Sequence, residues 1–218
     1  MDWLKNRFAC VCVAALILPS TVGFFWGACS LRQSGRAPTH PSELRGITTL
    51  DGCPLDPRDE IPGTLVAVVF ISHDCPISNA LAPELCALAP NARGRGVCFY
   101  AVHANPPEDL ALVVTHGKEF GFSAAMTVLL DPDQTLARAT GARVMPEAVL
   151  FRCHADREIE ILYSGRVNDL YSALGRRRAS PTRNELRDAI DAAVAGVAPV
   201  QSKTKAIGCF IEMSPSPD

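Results

Sequence analysis

The feature that most restricts the fold is an apolar run over residues 65–71 that leads through a short polar turn into a helical pattern. The run reads LVAVVFI, which is rich in β-branched residues and predicts a strand covered on both faces. Apolar residues then recur at helical spacing, at Ile77, Leu81, Leu85 and Leu88. A buried strand that passes directly into a helix indicates a protein of the α/β class.

Similar patterns along the chain predict the rest of a sheet. Further strands are expected at Val97 to Val102 and at Thr127 to Leu130, with a helix from Glu108 to Phe120 between them. The other predicted elements are a short strand at 47–50, a short helix ending at Thr140 and a hairpin of 148–151 with 159–163. The capping-box pattern Thr182-Arg183-Asn184-Glu185 predicts the start of a last helix. This helix has Leu186, Ile190 and Val194 on one face. This order predicts an α/β three-layer sandwich, a mixed central sheet flanked by helices, over residues 44–196.

The first 29 residues have the layout of an export signal. Lys5 and Arg7 precede an uncharged run from Phe8 to Ala28, as in a secretory signal peptide, and the run is also close to the ~20 residues that cross a bilayer. Gly27-Ala28-Cys29 resembles the end of a bacterial lipoprotein signal. We therefore expect residues 1–29 to be a signal peptide or an N-terminal membrane anchor, followed by a linker at 30–43. The expected location is exported, on the periplasmic side, with the protein membrane-anchored or a lipoprotein.

Composition narrows the classes of function. Hydrophobic residues make up 48% of the chain and charged residues 20%, which is enough apolar material for a real core. The net charge of −2 argues against a nucleic-acid partner, because counterion release needs a surplus of basic groups. Nine cysteines are an odd number, so at least one thiol has no intrachain partner, and export makes disulfide chemistry possible.

The polar turn between the first buried strand and its helix carries a cysteine in a chemically favourable position. Cys75 is expected in the first turn of the helix, where unpaired N–H groups and the helix dipole stabilise a thiolate. Pro76 suits this position, since its missing N–H costs nothing there. His73 would lower the thiol pKa further, whereas Asp74 would oppose that effect unless its carboxylate caps the helix. The alternative is an inert, half-buried cysteine with a capping aspartate.

The turn at 75–78, Pro83 and the segment around Met145-Pro146 together resemble sequence features of the thioredoxin superfamily. Cys75-Pro76-Ile77-Ser78 is similar to the active-site Cys-x-x-Cys turn with the second cysteine replaced by Ser78, and Pro83 stands where the superfamily has a helix-kinking proline. The segment around Met145-Pro146 resembles the cis-proline loop that packs against the active-site cysteine. The resemblance implies a cis bond at Pro146, a substrate-binding surface made of Pro76, Met145 and Pro146, and backbone groups of Met145 offered to a bound partner.

Within the superfamily the chain resembles the peroxiredoxin-like group, called AhpC/TSA or redoxin domains. The similar segments are Cys-Pro-Ile-Ser-Asn at 75–79, residues 144–148, residues 163–169 and Gly208-Cys209. The group's Pro-x-x-x-Thr-x-x-Cys signature is half present, with Ser72 in the threonine position and Val68 in place of the proline. The resemblance implies peroxidase and antioxidant activity, and a cationic group near the thiolate, for which Arg143 is the candidate and Arg166 the alternative.

A second thiol is needed to resolve an oxidised Cys75, because Ser78 cannot form a disulfide. Cys86 lies eleven residues along the same helix, about 16 Å away and beyond disulfide reach. Cys98 falls in a buried strand, and Cys153 ends another. Cys209 lies in the segment 197–218, which its proline and serine content predicts to be a flexible tail, and mobile C-terminal resolving cysteines occur among peroxiredoxins. Cys209 is therefore a possible resolving residue, and a tail cysteine without a role is the alternative.

The sequence thus predicts a thiol-dependent oxidoreductase that needs no metal and no cofactor, since the five histidines show no zinc-binding spacing. Cys75 would reduce peroxide or exchange with protein disulfides, assisted by Ser72, His73, Ser78 and Arg143. Its expected partners are a peroxide, a thiol reductant or client protein disulfide, and the membrane through the N-terminal segment. The alternative class is a non-catalytic binding or assembly module, of which a metal chaperone of the Sco type fits least well because the turn has one cysteine.

Overall fold

The computed structural model describes residues 46–105 and 110–213. The strands are β1 Thr48–Thr49, β2 Leu65–Ile71, β3 Val97–His103, β4 Thr127–Leu130, β5 Val144–Met145, β6 Glu147–Cys153, β7 Ile159–Gly165, β8 Tyr171–Ala173, β9 Arg176–Arg177 and β10 Cys209–Phe210. The α-helices are α1 Pro76–Arg93, α2 Leu110–Glu119, α3 Phe122–Ala125, α4 Thr135–Thr140 and α5 Glu185–Val194. Short 3₁₀ helices lie at Pro57–Asp59 and Ala155–Arg157.

Six strands form a mixed central sheet in the order β1-β4-β3-β2-β6-β7. Strands β2, β3 and β4 are parallel to one another, whereas β6 runs antiparallel to both β2 and β7. The parallel part is the signature of strand–helix–strand crossovers, and the antiparallel part is a hairpin added at the other side. The predicted α/β class with a mixed central sheet is confirmed.

Strand β2 supplies side chains to a separate core on each face of the sheet. Ala67, Val69 and Ile71 pack with residues of α1, α3 and α5, and Val66, Val68 and Phe70 pack with residues of α4 and with Ile211. This alternation follows from the two-residue period of a strand. It explains why the run from Leu65 to Ile71 is apolar at every position, and it produces the three layers.

The start of α5 differs from the prediction. The capping box placed Thr182 at the helix N-cap, but the helix begins at Glu185 with Asn184 as its N-cap. The Thr182 N–H and hydroxyl both donate to the buried carboxylate of Asp169, each at 2.6 Å. Thr182 thus bonds to a carboxylate outside the helix instead of capping α5. Val194, predicted on the buried face, is 37% exposed because it ends the helix.

Residues 202–213 are attached to the domain, which differs from the flexible tail predicted at 197–218. We call residues 202–213 the C-terminal strap. The Ser164 N–H donates to the Ser202 carbonyl and its own carbonyl accepts from the Thr204 N–H, both at 2.9 Å. Farther along, Ile211 is 5% exposed and its N–H donates to the Arg143 carbonyl at 2.9 Å. Hydrogen bonds at one end and apolar burial at the other hold the strap in place.

The predicted signal or anchor at 1–29 and the linker at 30–43 lie outside the described residues, so the export prediction has no structural counterpart here. None of the helices within 46–105 and 110–213 has both the length and the hydrophobicity needed to span a bilayer.

Candidate active site

Cys75 lies at the junction between β2 and α1, where the sheet delivers it to the start of a helix. It is the N-cap residue of α1, with Pro76 as the first helical residue, so it stands one position before the first turn in which the sequence placed it. Cys75 is fully buried. The backbone and the hydroxyl of Ser78 hydrogen-bond to its sulfur. The Ser78 N–H is one of the backbone donors that a helix start leaves free of intrahelical partners.

The surroundings of Cys75 favour a thiolate. Burial raises the pKa of the Cys75 thiol, but hydrogen bonds from Cys209 and Ser78 outweigh burial and leave the pKa below its ordinary value. A lowered pKa leaves more of the group as thiolate, which is the attacking form in disulfide exchange and peroxide reduction. The inert-cysteine alternative predicts the opposite shift, which burial without donors would give.

The loop before β6 packs against this sulfur. The Met145–Pro146 peptide bond is cis, as the resemblance implies. The Met145 carbonyl oxygen lies 3.1 Å from the Cys75 sulfur. Both Met145 and Pro146 are buried. The chain therefore brings together two segments that lie 70 residues apart in sequence.

The second thiol at the site is Cys209, which β10 of the strap carries. Strand β10 pairs antiparallel with β5, so that Cys209 stands opposite Met145. Its sulfur lies 3.0 Å from the Cys75 sulfur. Cys86 donates instead to the Phe120 carbonyl, and Cys153 to the Pro57 carbonyl. Cys209 is thus the cysteine that the fold places beside Cys75.

Gly208 permits this close approach. A Cβ atom at residue 208 would lie 2.0 Å from the Met145 carbonyl oxygen and 2.5 Å from its carbon. Its backbone does not adopt a positive φ, so the requirement for glycine comes from space alone. The pair Gly208-Cys209 is therefore fitted to the cis-proline loop.

The pKa of Cys209 is shifted in the opposite direction. Burial, the hydrogen bond with Cys75 and the charges of Cys75 and Asp74 raise the pKa of the Cys209 thiol to about 12. Cys209 therefore keeps its proton at neutral pH and donates a hydrogen bond to the Cys75 sulfur. Of the two thiols, Cys75 has the lowered pKa and Cys209 is its hydrogen-bond donor.

The polar residues just before Cys75 bond mainly within their own loop. The Ser72 hydroxyl donates to the Asp74 carboxylate, and this hydrogen bond lowers the Asp74 pKa. Asp74 therefore does not cap the helix, and the Ser72 hydroxyl is turned to Asp74 rather than to the sulfur. The Ser72 N–H donates to the Ser78 hydroxyl at 3.4 Å, which ties the turn to the first helical turn.

Asn79 and His116 support the turn and were missed by the sequence analysis as site residues. The Asn79 side-chain amide donates to the His73 carbonyl at 3.2 Å, and its oxygen lies 2.8 Å from the His116 Nε2. Burial lowers the pKa of His116 to about 4, so the ring is neutral and its Nε2–H donates to Asn79. The asparagine of the Cys-Pro-Ile-Ser-Asn segment was the available signal, but its partner on α2 lies 37 residues away.

Of the two arginines proposed as cationic partners of Cys75, Arg166 has its guanidinium on Glu185, and the hydrogen bond found for Arg143 is made by its backbone. Arg143 is exposed, and its N–H donates to the Glu147 carboxylate at 2.8 Å. The Arg166 Nε donates to Glu185 at 2.9 Å. The hydrogen bonds that lower the Cys75 pKa come from Cys209 and Ser78. The cationic role of Arg143 stays a prediction.

Within the part of the chain that the structure describes, no group of three or more His, Cys, Asp or Glu side chains is arranged to hold a metal ion. A small cavity lies beside the site on the Pro146 side, lined by Ile77, Leu81, Val167, Tyr171 and Ile207 among others. It is mostly apolar, and the strap contributes Ile207 to its wall.

Sheet order, the placement of Cys75 at the start of α1 and the cis bond at Pro146 together give the chain a thioredoxin-like fold. At the level of the fold, this confirms the resemblance to the thioredoxin superfamily. The narrower resemblance to peroxiredoxin-like domains stays a prediction.

Comparison with solved structures finds proteins of the same overall shape, whereas no family model and no curated protein matches the sequence. The chain is similar to an uncharacterized conserved protein of Geobacillus kaustophilus, with a TM-score of 0.64 and 26% identity over 84% of this chain and 93% of that chain. A hypothetical protein of Sinorhizobium meliloti has a TM-score of 0.58 and 26% identity over 70% of this chain and 81% of that one. A weaker similarity, with a TM-score of 0.45 and 21% identity over 74% and 96%, is to a secreted disulfide oxidoreductase of Mycobacterium tuberculosis described as homologous to DsbE of Escherichia coli.

Proposed function

We propose that the protein is a thiol-dependent oxidoreductase in which Cys75 is the attacking thiol and Cys209 the resolving thiol. The observation that carries this proposal is the 3.0 Å separation of the two sulfurs at the start of α1. A disulfide bond is about 2.0 Å long, so the two sulfurs need to approach by only about 1 Å. The opposite directions of their pKa shifts support this division of roles.

The first step is attack by the Cys75 thiolate on an oxidant. With a hydroperoxide, the thiolate takes the terminal oxygen, the O–O bond breaks, and the leaving alkoxide or hydroxide takes a proton from the solvent. Cys75 becomes a sulfenic acid, oxidised by two electrons. With a disulfide, Cys75 bonds to one sulfur and the other leaves as a thiolate.

The second step is resolution by Cys209. Its sulfur attacks the Cys75 sulfur, a Cys75–Cys209 disulfide forms, and the proton of Cys209 leaves with the departing hydroxide as water or with the departing client thiolate as thiol. The negative charge of Cys75 contributes to the high pKa of Cys209. That charge disappears when Cys75 is oxidised, so Cys209 becomes easier to deprotonate at the step that needs it. An external dithiol then reduces the disulfide.

The remaining predicted site residues have supporting roles in this proposal. Ser78 holds the thiolate by hydrogen bonds, and Ser72 and His73 shape the turn through their bonds to Ser78 and Asn79. Pro76, Met145 and Pro146 line the approach to the sulfur. An exported, membrane-anchored or lipoprotein form, which the N-terminal sequence predicts, would place this chemistry where disulfides persist.

The test compares the full-length protein with single-cysteine variants. Consumption of hydrogen peroxide and reduction of insulin disulfides are measured with dithiothreitol or thioredoxin as the reductant. Cys75→Ser should fall to the uncatalysed rate in each assay in which the wild type is active. Cys86→Ser is the matched control and should behave as the wild type, because Cys86 bonds to Phe120 away from the site.

Two further observations test the assignment of roles. Peptide mapping after mild oxidation should find a Cys75–Cys209 disulfide, and dimedone should trap a sulfenic acid on Cys75 in Cys209→Ser after peroxide treatment. Equal rates for wild type and Cys75→Ser in both assays would overturn the enzyme proposal and leave the binding module.

A further inference from the structure

The C-terminal strap covers the sulfur that the proposed reaction uses. Cys75 is fully buried, and its sulfur contacts the Met145 carbonyl and the Cys209 sulfur. Cys209 itself is exposed, as is Phe210 at 77%. The strap therefore contacts the Cys75 sulfur through the Cys209 backbone N–H, which stays in β10, and through the Cys209 side chain, which belongs to an exposed residue.

The strap also occupies the backbone edge beside that sulfur. Strand β10 pairs with β5, with Cys209 opposite Met145 and Phe210 opposite Val144. An extended segment of another protein that approached Cys75 would bind by adding a strand to an open edge. In this chain β10 has already taken the edge of β5.

Attachments on both sides keep β10 in place. On one side, the Thr204 hydroxyl accepts from the Arg166 N–H at 3.0 Å and lies 2.7 Å from the Tyr163 hydroxyl. On the other side, Ile211 is buried and the Glu212 N–H donates to the Asn105 side chain at 3.0 Å. An incoming protein strand would have to displace a segment that is fixed at both of its ends.

A small oxidant faces a much smaller obstacle. Rotation of the Cys209 side chain about its χ1 bond moves the sulfur away from Cys75 while the β10 backbone stays paired, and such rotamer changes are inexpensive at the surface. The opening is then the size of a side chain. A small oxidant needs only the movement of one side chain, whereas a protein substrate needs the removal of a strand. The strap therefore favours the small oxidant.

We infer that the strap is a specificity-determining segment that restricts Cys75 to small oxidants of the hydroperoxide class and excludes protein disulfides. This inference rests on the proposed function and names its substrate. The reaction is the two-step peroxide reduction described above, with water and an alcohol (or a second water) as products and the external dithiol as reductant. Gly208 is the residue on which the exclusion depends, since any Cβ there meets the Met145 carbonyl.

The test uses Gly208→Val in the full-length protein, which should expel β10 from the edge of β5. Insulin reduction should rise at least about tenfold, because β10 no longer competes with the substrate for the edge of β5. A tenfold change corresponds to roughly 1.4 kcal/mol. Peroxide reduction should fall in the same variant, because Cys209 loses its position. Gly94→Ala is the matched control, since Gly94 has a helical φ of −61° and a Cβ there would meet its nearest atoms at 3.5 Å.

A second measurement keeps the inference testable if Gly208→Val folds poorly. In the reduced wild type, iodoacetamide should alkylate Cys75 much faster than a polyethylene-glycol maleimide does, and Ile211→Asp, which releases the other end of the strap, should remove that size preference. Insulin reduction by the wild type at the rate of Gly208→Val, or an unchanged size preference in Ile211→Asp, would overturn the inference. Failure of the proposed function gives a different result, namely insulin or peroxide reduction that survives Cys75→Ser.

Discussion

At the scale of single residues, the site works as a pair of thiols with unequal affinity for one proton. Cys75 receives hydrogen bonds and has a lowered pKa, whereas Cys209 donates and has its pKa raised to about 12. Each thiol contributes to the pKa shift of the other, together with the Ser78 hydrogen bonds at Cys75 and the burial of Cys209. In the proposed reaction the pair takes the place of the Cys-x-x-Cys arrangement that Ser78 interrupts.

Removal of Cys209 should raise the pKa of Cys75. The hydrogen bond from Cys209 is the largest of the effects that lower this pKa, and burial, which raises it, would remain in Cys209→Ala. Thiolate absorbance at 240 nm during a pH titration measures the shift. Cys86→Ala should leave the titration of Cys75 unchanged, and a Cys209→Ala curve that coincides with the wild type would contradict the donor role.

The residue scale is also where prediction from sequence went furthest. The position of Cys75 between a buried strand and a helix, and of Pro146 before another strand, can be recognised from local patterns. Cys209 could be singled out only as a possible partner of Cys75, with a tail cysteine without a role as the alternative, because 134 residues separate the two and no local rule reports contacts over that distance. Asn79 and His116 were missed for the same reason.

At the scale of elements, the long buried strands were predictable and the short pieces were not. Strand β2 is apolar throughout because both faces are covered, which any window of the sequence shows. Strand β10 has two residues and exists because β5 offers an edge to it. The capping box at Thr182 failed because Asp169, thirteen residues earlier, supplies a better acceptor.

Asp169 should stabilise the connection to α5 in a pH-dependent way. Burial raises its pKa, but hydrogen bonds from Thr182 and Arg183 outweigh burial and lower the pKa to about 2. A carboxyl with a lowered pKa contributes stability above its unfolded pKa of about 4, and that contribution is lost as the pH falls through about 2.

Asp169→Asn should accordingly lower the free energy of unfolding at pH 7 by about 1–3 kcal/mol. Urea denaturation at several pH values measures the difference from the wild type, which should shrink between pH 4 and pH 2. Asp188→Asn on the exposed side of α5 is the control and should change the free energy of unfolding by less than about 0.5 kcal/mol. A difference for Asp169→Asn that does not vary with pH would show that its charge is unimportant.

At the scale of the whole molecule, the sheet separates two cores, and the strap belongs to the second of them through Ile211. The layers could be predicted from the alternation of strand and helix patterns. The packing of residues 202–213 could not, because the proline and serine content of the segment 197–218 is typical of a loose tail, whereas residues 202–213 are attached to β7, β5 and Asn105.

Oxidation should stabilise the fold. A Cys75–Cys209 disulfide would join residues 134 positions apart, and cross-linking a loop of this length stabilises a protein by about 2–5 kcal/mol. Denaturation of the wild type with and without dithiothreitol measures the effect, which should disappear in Cys209→Ala. Identical midpoints for the oxidised and reduced wild type would show that the disulfide distorts the site as much as it restrains the unfolded chain.

Because the strap is attached before and after Cys209, the proposed resolving sulfur stays close to the proposed nucleophile. Its effective concentration near residue 75 is set by the few residues between the two attachments and not by the amount of protein in solution. Formation of the Cys75–Cys209 disulfide after each oxidation is thus a first-order step, whose half-time should be the same in dilute and in concentrated samples.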